Sequence, residues 1–256
     1  MKRETLWQGF SLQGPRPRQD DRFLVLESSE GLLIVVCDGH GTDGDLAAAY
    51  AVDELVGWFS RKPTDQGITN LFEDVDQTIE VDFEGGTTAT VVWLKPNGET
   101  VIAYVGDSEV YAVDTRTKEV VSLLPRLHSV SDLEEERRLR SAGAKLGRGR
   151  ILLGNDRGIN VARSLGDRDY CRFVIPEPTI VRLTPERNAP FSHLLVCSDG
   201  VSRAVRSLGR DDNWNLFIRG GIDRGSEKAK LYLEVVATDN ATGVLVDLEI
   251  WRQRCS

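Results

Sequence analysis

The chain has little of several things that would announce a function. Among its 256 residues there are only three histidines, His40, His128 and His193, too few for a histidine-built metal centre. Its four cysteines, Cys37, Cys171, Cys197 and Cys255, are scattered and form no CxxC pair. That pattern argues against a zinc site or a disulfide framework and for a reducing compartment, so a cytoplasmic protein is expected. No apolar run approaches the roughly 20 residues of a membrane span. The opening "MKRETLWQGF" carries positive charge but no apolar stretch, so no secretory signal is expected. Basic excess is also missing. Lys and Arg number 32 against 40 Asp and Glu, a formal charge of −8, which counts against nucleic acid or an anionic membrane as the partner. No GxxxxGK[ST] occurs, which excludes a P-loop nucleotide enzyme. Internal repeats and low-complexity segments are lacking too.

What is there suits one large globular unit, taken as a single domain over residues 1–256, with 40% hydrophobic residues. Strand-like stretches run over 6–14, 22–29, 31–37, 85–94, 100–107, 109–115, 119–124, 192–200 and 242–251. Helical periodicity is clearest over 46–62, where Ala47, Ala51, Leu55 and Trp58 share a face and Thr42, Asp43 or Asp45 can cap. Further helices are expected over about 65–82, over 131–143 with Ser131 and Glu134 as a capping box, and over 226–239. Residues 144–160, rich in Gly and Arg, read as a loop. Strands in blocks with a few long helices point to an antiparallel α+β layered fold rather than alternating β-α-β.

Three apolar strands end in an acid: "LLIVVCDG" at Asp38, "VIAYVGDS" at Asp107 and "HLLVCSDG" at Asp199. Asp239 sits just before another strand, and Asp20 and Asp21 precede a fifth. Taken singly, an Asp-Gly after a strand is an ordinary turn. If the strands are neighbours, however, their ends gather carboxylates on one rim, where cations or protons must relieve the repulsion. An all-oxygen donor set favours magnesium, manganese or calcium over zinc. A calcium loop started at Asp38 fails, because His40, Asp43 and Ala49 stand where Asp or Asn, Gly and Glu are required. A haloacid-dehalogenase type of aspartyl nucleophile fails as well, since His40 replaces the second Asp.

Seven segments in order then resemble a known family. "SLQGPRPRQDDRF" has an arginine followed four and five places later by two acids; "VVCDGHGTDGDLAA" resembles a DGHGG motif. "GGTTATVVWL", "AYVGDSEVYAV", "GINVARSLGD" with "VIPEPTI", "LLVCSDGVSRAV" and "DNATGVLVDL" complete the set, over about residues 6 to 250. Together they resemble the metal-dependent protein serine/threonine phosphatases of type 2C. The resemblance implies a central β-sandwich of two antiparallel sheets flanked by helices, four layers in the order αββα. It implies that two magnesium or manganese ions are bridged by Asp38, with the Gly39 carbonyl as a further ligand. Asp199 and Asp239 would hold the other ion, and Asp20 and Asp21 would contact it directly or through water. Arg16 would grip the substrate phosphate with its fork of donors, and His40 would protonate the departing serine or threonine oxygen. Asp107, with Asp199, is implied as the place of a third, weaker ion. The substrate implied is a phosphorylated protein and the enzyme a monomer.

Three positions depart from the family pattern. Asp20 stands where Glu is common, Glu109 where Arg is usual and Arg203 where an Asp is expected. Glu109 is read as a surface change. Arg203 is expected to repel a third ion or to replace it electrostatically. The two competing readings are a catalytically inactive pseudophosphatase that binds a partner, and a phosphatase of small phosphorylated metabolites.

Overall fold

The apolar stretch that runs into Asp38 is a strand, Gly31–Cys37, buried at every position. Its side chains divide between two cores. Leu33, Val35 and Cys37 face one and Leu32, Ile34 and Val36 the other, so a strand covered on both faces reads as an unbroken apolar run. The computed structural model describes residues 5–61, 64, 67–117, 119–154, 157–207, 233, 234 and 236–255. In chain order the strands are Trp7–Leu12 (β1), Arg22–Ser28 (β2), Gly31–Cys37 (β3), Gly39–Gly41 (β4), Gly85–Thr87 (β5), Ala89–Leu94 (β6), Thr100–Val105 (β7) and Glu109–Asp114 (β8). They continue with Glu119–Ser122 (β9), Leu146–Gly147 (β10), Arg150–Leu153 (β11), Arg157–Ile159 (β12), Leu165–Gly166 (β13), Thr179–Leu183 (β14), His193–Cys197 (β15) and Ala241–Asp247 (β16). The helices are Gly44–Phe59 (α1), Gly67–Asp82 (α2), Leu133–Ser141 (α3), Pro185–Asn188 (α4), Asp199–Ser207 (α5) and Leu248–Cys255 (α6).

Two antiparallel five-stranded sheets, ordered β1-β16-β15-β8-β9 and β14-β7-β6-β3-β2, pack face to face. Ile34, Val92, Ile102 and Tyr104 of one sheet meet Val110, Val196, Val244 and Val246 of the other. Helices α1 and α2 cover the outer face of the second sheet through Ala51, Leu55, Phe72 and Ile79. Val201, Ala204 and Val205 of α5 cover the outer face of the first. This is the α+β sandwich with helical outer layers that the resemblance implied. A side lobe holds α3 against β11 and β12 around Leu139, Ile151 and Ile159. It is tied by Glu135, buried between Arg138 and Arg163 at 2.8 and 2.7 Å.

Register explains why the acids converge. In one sheet Arg22 pairs with Cys37, Val36 with Thr90 and Ala89 with Val105. The starts of β2 and β6 therefore share a rim with the ends of β3 and β7. In the other sheet Leu12 pairs with Ala241, and Cys197 with both Gly243 and Glu109. Asp20, Asp21, Asp38, Asp107, Asp199 and Asp239 all sit one to three residues beyond these rim positions.

Several local expectations change. The loop read over 144–160 is a small three-stranded sheet, β10-β11-β12. Arg148 and Gly149, with φ of 53° and 71°, form its first turn, the positive-φ pair of a type I′ hairpin. Helix α3 is capped by Asp132, whose side chain accepts from the Glu134 and Glu135 amides, while the Ser131 hydroxyl bonds that of Ser129 at 2.7 Å. The strand expected through Trp251 stops at Asp247. Its carboxylate accepts from the Glu249 and Ile250 amides at 2.9 Å and starts α6. Asp43 occupies the N-cap of α1 without a side-chain cap bond; its carboxylate instead accepts from the Glu84 amide at 2.9 Å. The helix expected over 226–239 lies largely outside the described residues. Among the described residues no helix is long and apolar enough to cross a membrane.

Candidate active site

Asp38 is set by residues at the junctions of the neighbouring strands, Thr88 between β5 and β6 and Ser108 between β7 and β8. Its amide donates to the Thr88 hydroxyl at 3.0 Å, its carbonyl accepts from the Thr88 amide at 2.9 Å, and Thr88 is held in turn by Ser108 at 3.0 Å. Burial pushes the Asp38 carboxyl well above the usual carboxylate range, and Asp21, Asp199, Asp107 and Asp239 push it further. Asp21 is raised to about 6 and Asp199 to about 8, in both cases by burial first. Asp107 is also raised by burial, against the pull of Arg203 and His40. Five acids from five separate strand ends, Asp199 opening helix α5, thus form one electrostatic unit, as strand-end gathering predicts.

Each of the remaining expected residues has a definite place. Gly39 allows no side chain: a Cβ there would stand 2.1 Å from the Gly44 carbonyl oxygen and 2.8 Å from that of Asp20. Asp20 is gripped at its amide by the Asn240 side chain at 2.8 Å and at its carboxylate by Arg18 at 2.8 Å. Asp21 accepts from the Ser198 hydroxyl at 2.8 Å on Oδ2. Among the described residues its buried Oδ1 has no hydrogen-bond partner. Arg16 donates from Nη2 to Asp239 Oδ2 at 2.5 Å, so here it is turned onto a carboxylate. Asn240 also donates to the Gln13 and Arg18 carbonyls at 2.8 and 2.9 Å, fastening the loop that carries Arg16, Asp20 and Asp21.

The donor chemistry fits a hard divalent cation. All the ligating groups are oxygens, Asp21 Oδ1 is an orphaned buried acceptor, and the acids repel one another until a cation or proton intervenes. Among the described residues, though, no three acidic, histidine or cysteine side chains close into a coordination shell. Guanidinium groups hold the carboxylates instead: Arg203 pairs with Asp199, with Asp239 at 3.6 Å and with Asp107 at 3.7 Å.

Two features escaped the sequence reading. Asp167, in the quoted stretch "GINVARSLGD", accepts or shares a hydrogen bond with His40 Nε2 at 2.8 Å and takes another from the Ser164 hydroxyl. Burial alone would lower the His40 pKa, but Asp167 outweighs it and the net shift is upward. The only signal was the motif itself. The second is Glu109, which is not a surface change. It is 3% exposed and bonds Arg206 at 2.7 Å and the Tyr111 hydroxyl at 2.5 Å. Cys37 and Cys197 are buried strand residues as expected. His128 stacks on Tyr104 at 4.6 Å and shares a hydrogen bond with the Thr179 hydroxyl at 2.8 Å, its pKa driven down to about 3, by burial first.

Residues 45–207 match the family profile Protein phosphatase 2C. The chain belongs to the protein phosphatase 2C family. It is 29% identical over 248 residues to the probable protein phosphatase 2C 5 of Arabidopsis thaliana, covering 83% of this chain and 53% of that protein. It is 27% identical over 220 residues to protein phosphatase fem-2 of Caenorhabditis elegans, covering 76% of this chain and 46% of that one. The chain therefore spans about half the length of these curated relatives. Among solved structures, a C. elegans sex determining protein superposes with a TM-score of 0.72 at 23% identity, over 96% of this chain and 66% of that one. The serine/threonine phosphatase Stp1 of Staphylococcus aureus superposes with a TM-score of 0.66 at 21% identity, over 94% of each. These structural likenesses establish the fold of this chain.

Proposed function

We propose that residues 1–256 act as one catalytic unit, a metal-dependent protein phosphatase that hydrolyses phosphoserine and phosphothreonine. The observation that carries this reading is the convergence of Asp21, Asp38, Asp107, Asp199 and Asp239 on one rim, where the charges of the other four raise the pKa of buried Asp38. In this reading Asp38, Asp199 and Asp239 hold two magnesium or manganese ions, Gly39 adds its carbonyl, and Asp20 and Asp21 contact an ion directly or through water. When bound, such ions supply a nucleophile from water near neutral pH and neutralise the phosphoryl oxygens.

The chain's own residues supply the rest. Arg16, its side chain 54% exposed, can leave Asp239 for the substrate phosphate and present two parallel donors. His40, held at Nε2 by Asp167 and favoured in its doubly protonated form, would donate from Nδ1 to the departing serine or threonine oxygen and be left neutral. Membership of the family supports a phosphorylated protein as substrate. A second reading, a scaffold that binds without turnover, is favoured by one observation: Arg203 lies on three of the carboxylates.

The deciding experiment is manganese-dependent hydrolysis of p-nitrophenyl phosphate and of a phosphothreonine peptide, beside Asp38→Ala and Asp199→Ala. Turnover that vanishes in both variants is expected. Wild-type turnover no greater than theirs would leave only the scaffold reading. Arg16→Ala should raise KM with little effect on kcat, and an unchanged kcat/KM would remove Arg16 from the site.

A further inference from the structure

Helix α5 begins with Asp199 and presents Arg203 one turn later on the same face. The Arg203 guanidinium reaches three carboxylates that arrive from different elements. One nitrogen pairs with Asp199 and lies 3.7 Å from Asp107 Oδ2; the other lies 3.6 Å from Asp239 Oδ2. A guanidinium stays charged at any working pH, so it is a permanent cation in contact with those acids. Its side chain is 48% exposed, so it can swing toward water without being stranded in the interior. Asp239 is shared with a second guanidinium, that of Arg16 at 2.5 Å. Among the described residues no guanidinium pairs with Asp21 or Asp38: Asp21 Oδ2 accepts from the Ser198 hydroxyl, and its buried Oδ1 has no hydrogen-bond partner.

We propose that Arg203 is a built-in counter-cation that competes with divalent metal for Asp199 and Asp239, so that metal enters this end of the site only by displacing it. This rests on the metal-site reading of the carboxylates above, but concerns affinity rather than turnover. Coulomb attraction to a guanidinium a few ångströms away must be given up before Asp199 or Asp239 can turn to another cation. Metal uptake should therefore be weaker than the number of carboxylates suggests, and the metal-free protein should be correspondingly stabilised. Lysine at 203 would keep the charge; glutamine would remove it.

The test compares wild type with Arg203→Lys, Arg203→Gln and Arg203→Met. Each is titrated with manganese by calorimetry and its Tm measured in EDTA and in manganese. The expected result is a manganese Kd at least tenfold lower, or an additional bound ion, in Arg203→Gln and Arg203→Met, with Arg203→Lys close to wild type. In EDTA the Gln and Met variants should melt below wild type, and manganese should raise their Tm by more. Equal Kd, equal stoichiometry and equal Tm across the four proteins would overturn the proposal while leaving the phosphatase reading intact. Manganese bound only by the Gln and Met variants would support the proposal and tell against metal-dependent turnover in the wild type. Manganese bound by none of the four would overturn both. A wild type that binds manganese in the expected order of affinities yet lacks turnover would sink the phosphatase reading alone.

Discussion

His40 and Asp167, 127 residues apart, meet at 2.8 Å between Nε2 and Oδ2. The contact depends on backbone placement: Asp167 sits at φ 61°, and a Cβ on Gly86 would come within 2.7 Å of its carboxylate. If His40 donates the proton to the leaving oxygen, Asp167 acts through it as a positioning residue. His40→Ala should lower kcat on the order of 100-fold and Asp167→Asn roughly tenfold. Because the two act as a unit, the double variant should be no worse than His40→Ala. Additive losses in that cycle would separate Asp167 from His40.

Asp76 of α2 supports the same corner from behind, accepting from the Gly166 amide at 2.7 Å. Burial raises its pKa to about 7, with Glu80 and Asp167 adding to the rise against the pull of the Gly166 amide. Between about pH 4, its unfolded value, and about 7 the folded state keeps a proton that the unfolded state has lost. The stability from this proton is complete below that window and lost as pH rises through about 7. Asp76→Asn should therefore gain Tm relative to wild type as pH rises from 4 to 8. A constant difference in Tm across that range would contradict the shift.

Glu109 gives a prediction of opposite flavour. Family resemblance would put arginine there, yet the buried carboxylate bonds Arg206 and Tyr111. Glu109→Arg, the change toward the family pattern, should destabilise by about 3 kcal/mol or more, since it sets two cations together at a buried site. A chemical-denaturation midpoint equal to wild type would show that the pair carries no stability.

The acids of the site were legible because each ends or starts an apolar strand, and strand direction alone decides whether such ends share a rim. Asp38, Asp107, Asp199 and Asp239 needed only that logic. Asp167 was not legible by it: its strand, β13, has two residues and no apolar run to mark it. Glu109 misled because a charged residue at a strand start reads as exposed until its partner Arg206, 97 residues away, is known. The β10–β11 hairpin was hidden by its glycines and arginines, which read as loop although Arg148 and Gly149 form a regular turn. The resemblance placed the Arg203 charge near the third ion's acids, but neither its contact with Asp239 nor that of Arg16 could be read, since a sequence shows charges but not their pairing.

The central claim is that this rim of carboxylates is a divalent-metal site that drives phosphate hydrolysis. Its most direct test is bound manganese, counted by electron paramagnetic resonance, measured against turnover of a phosphothreonine peptide in the same samples of wild type and Asp38→Ala. Turnover that rises with bound manganese in the wild type, with both lost in Asp38→Ala, is the predicted result. Equal turnover in EDTA and in manganese, or full manganese binding by Asp38→Ala, would contradict it.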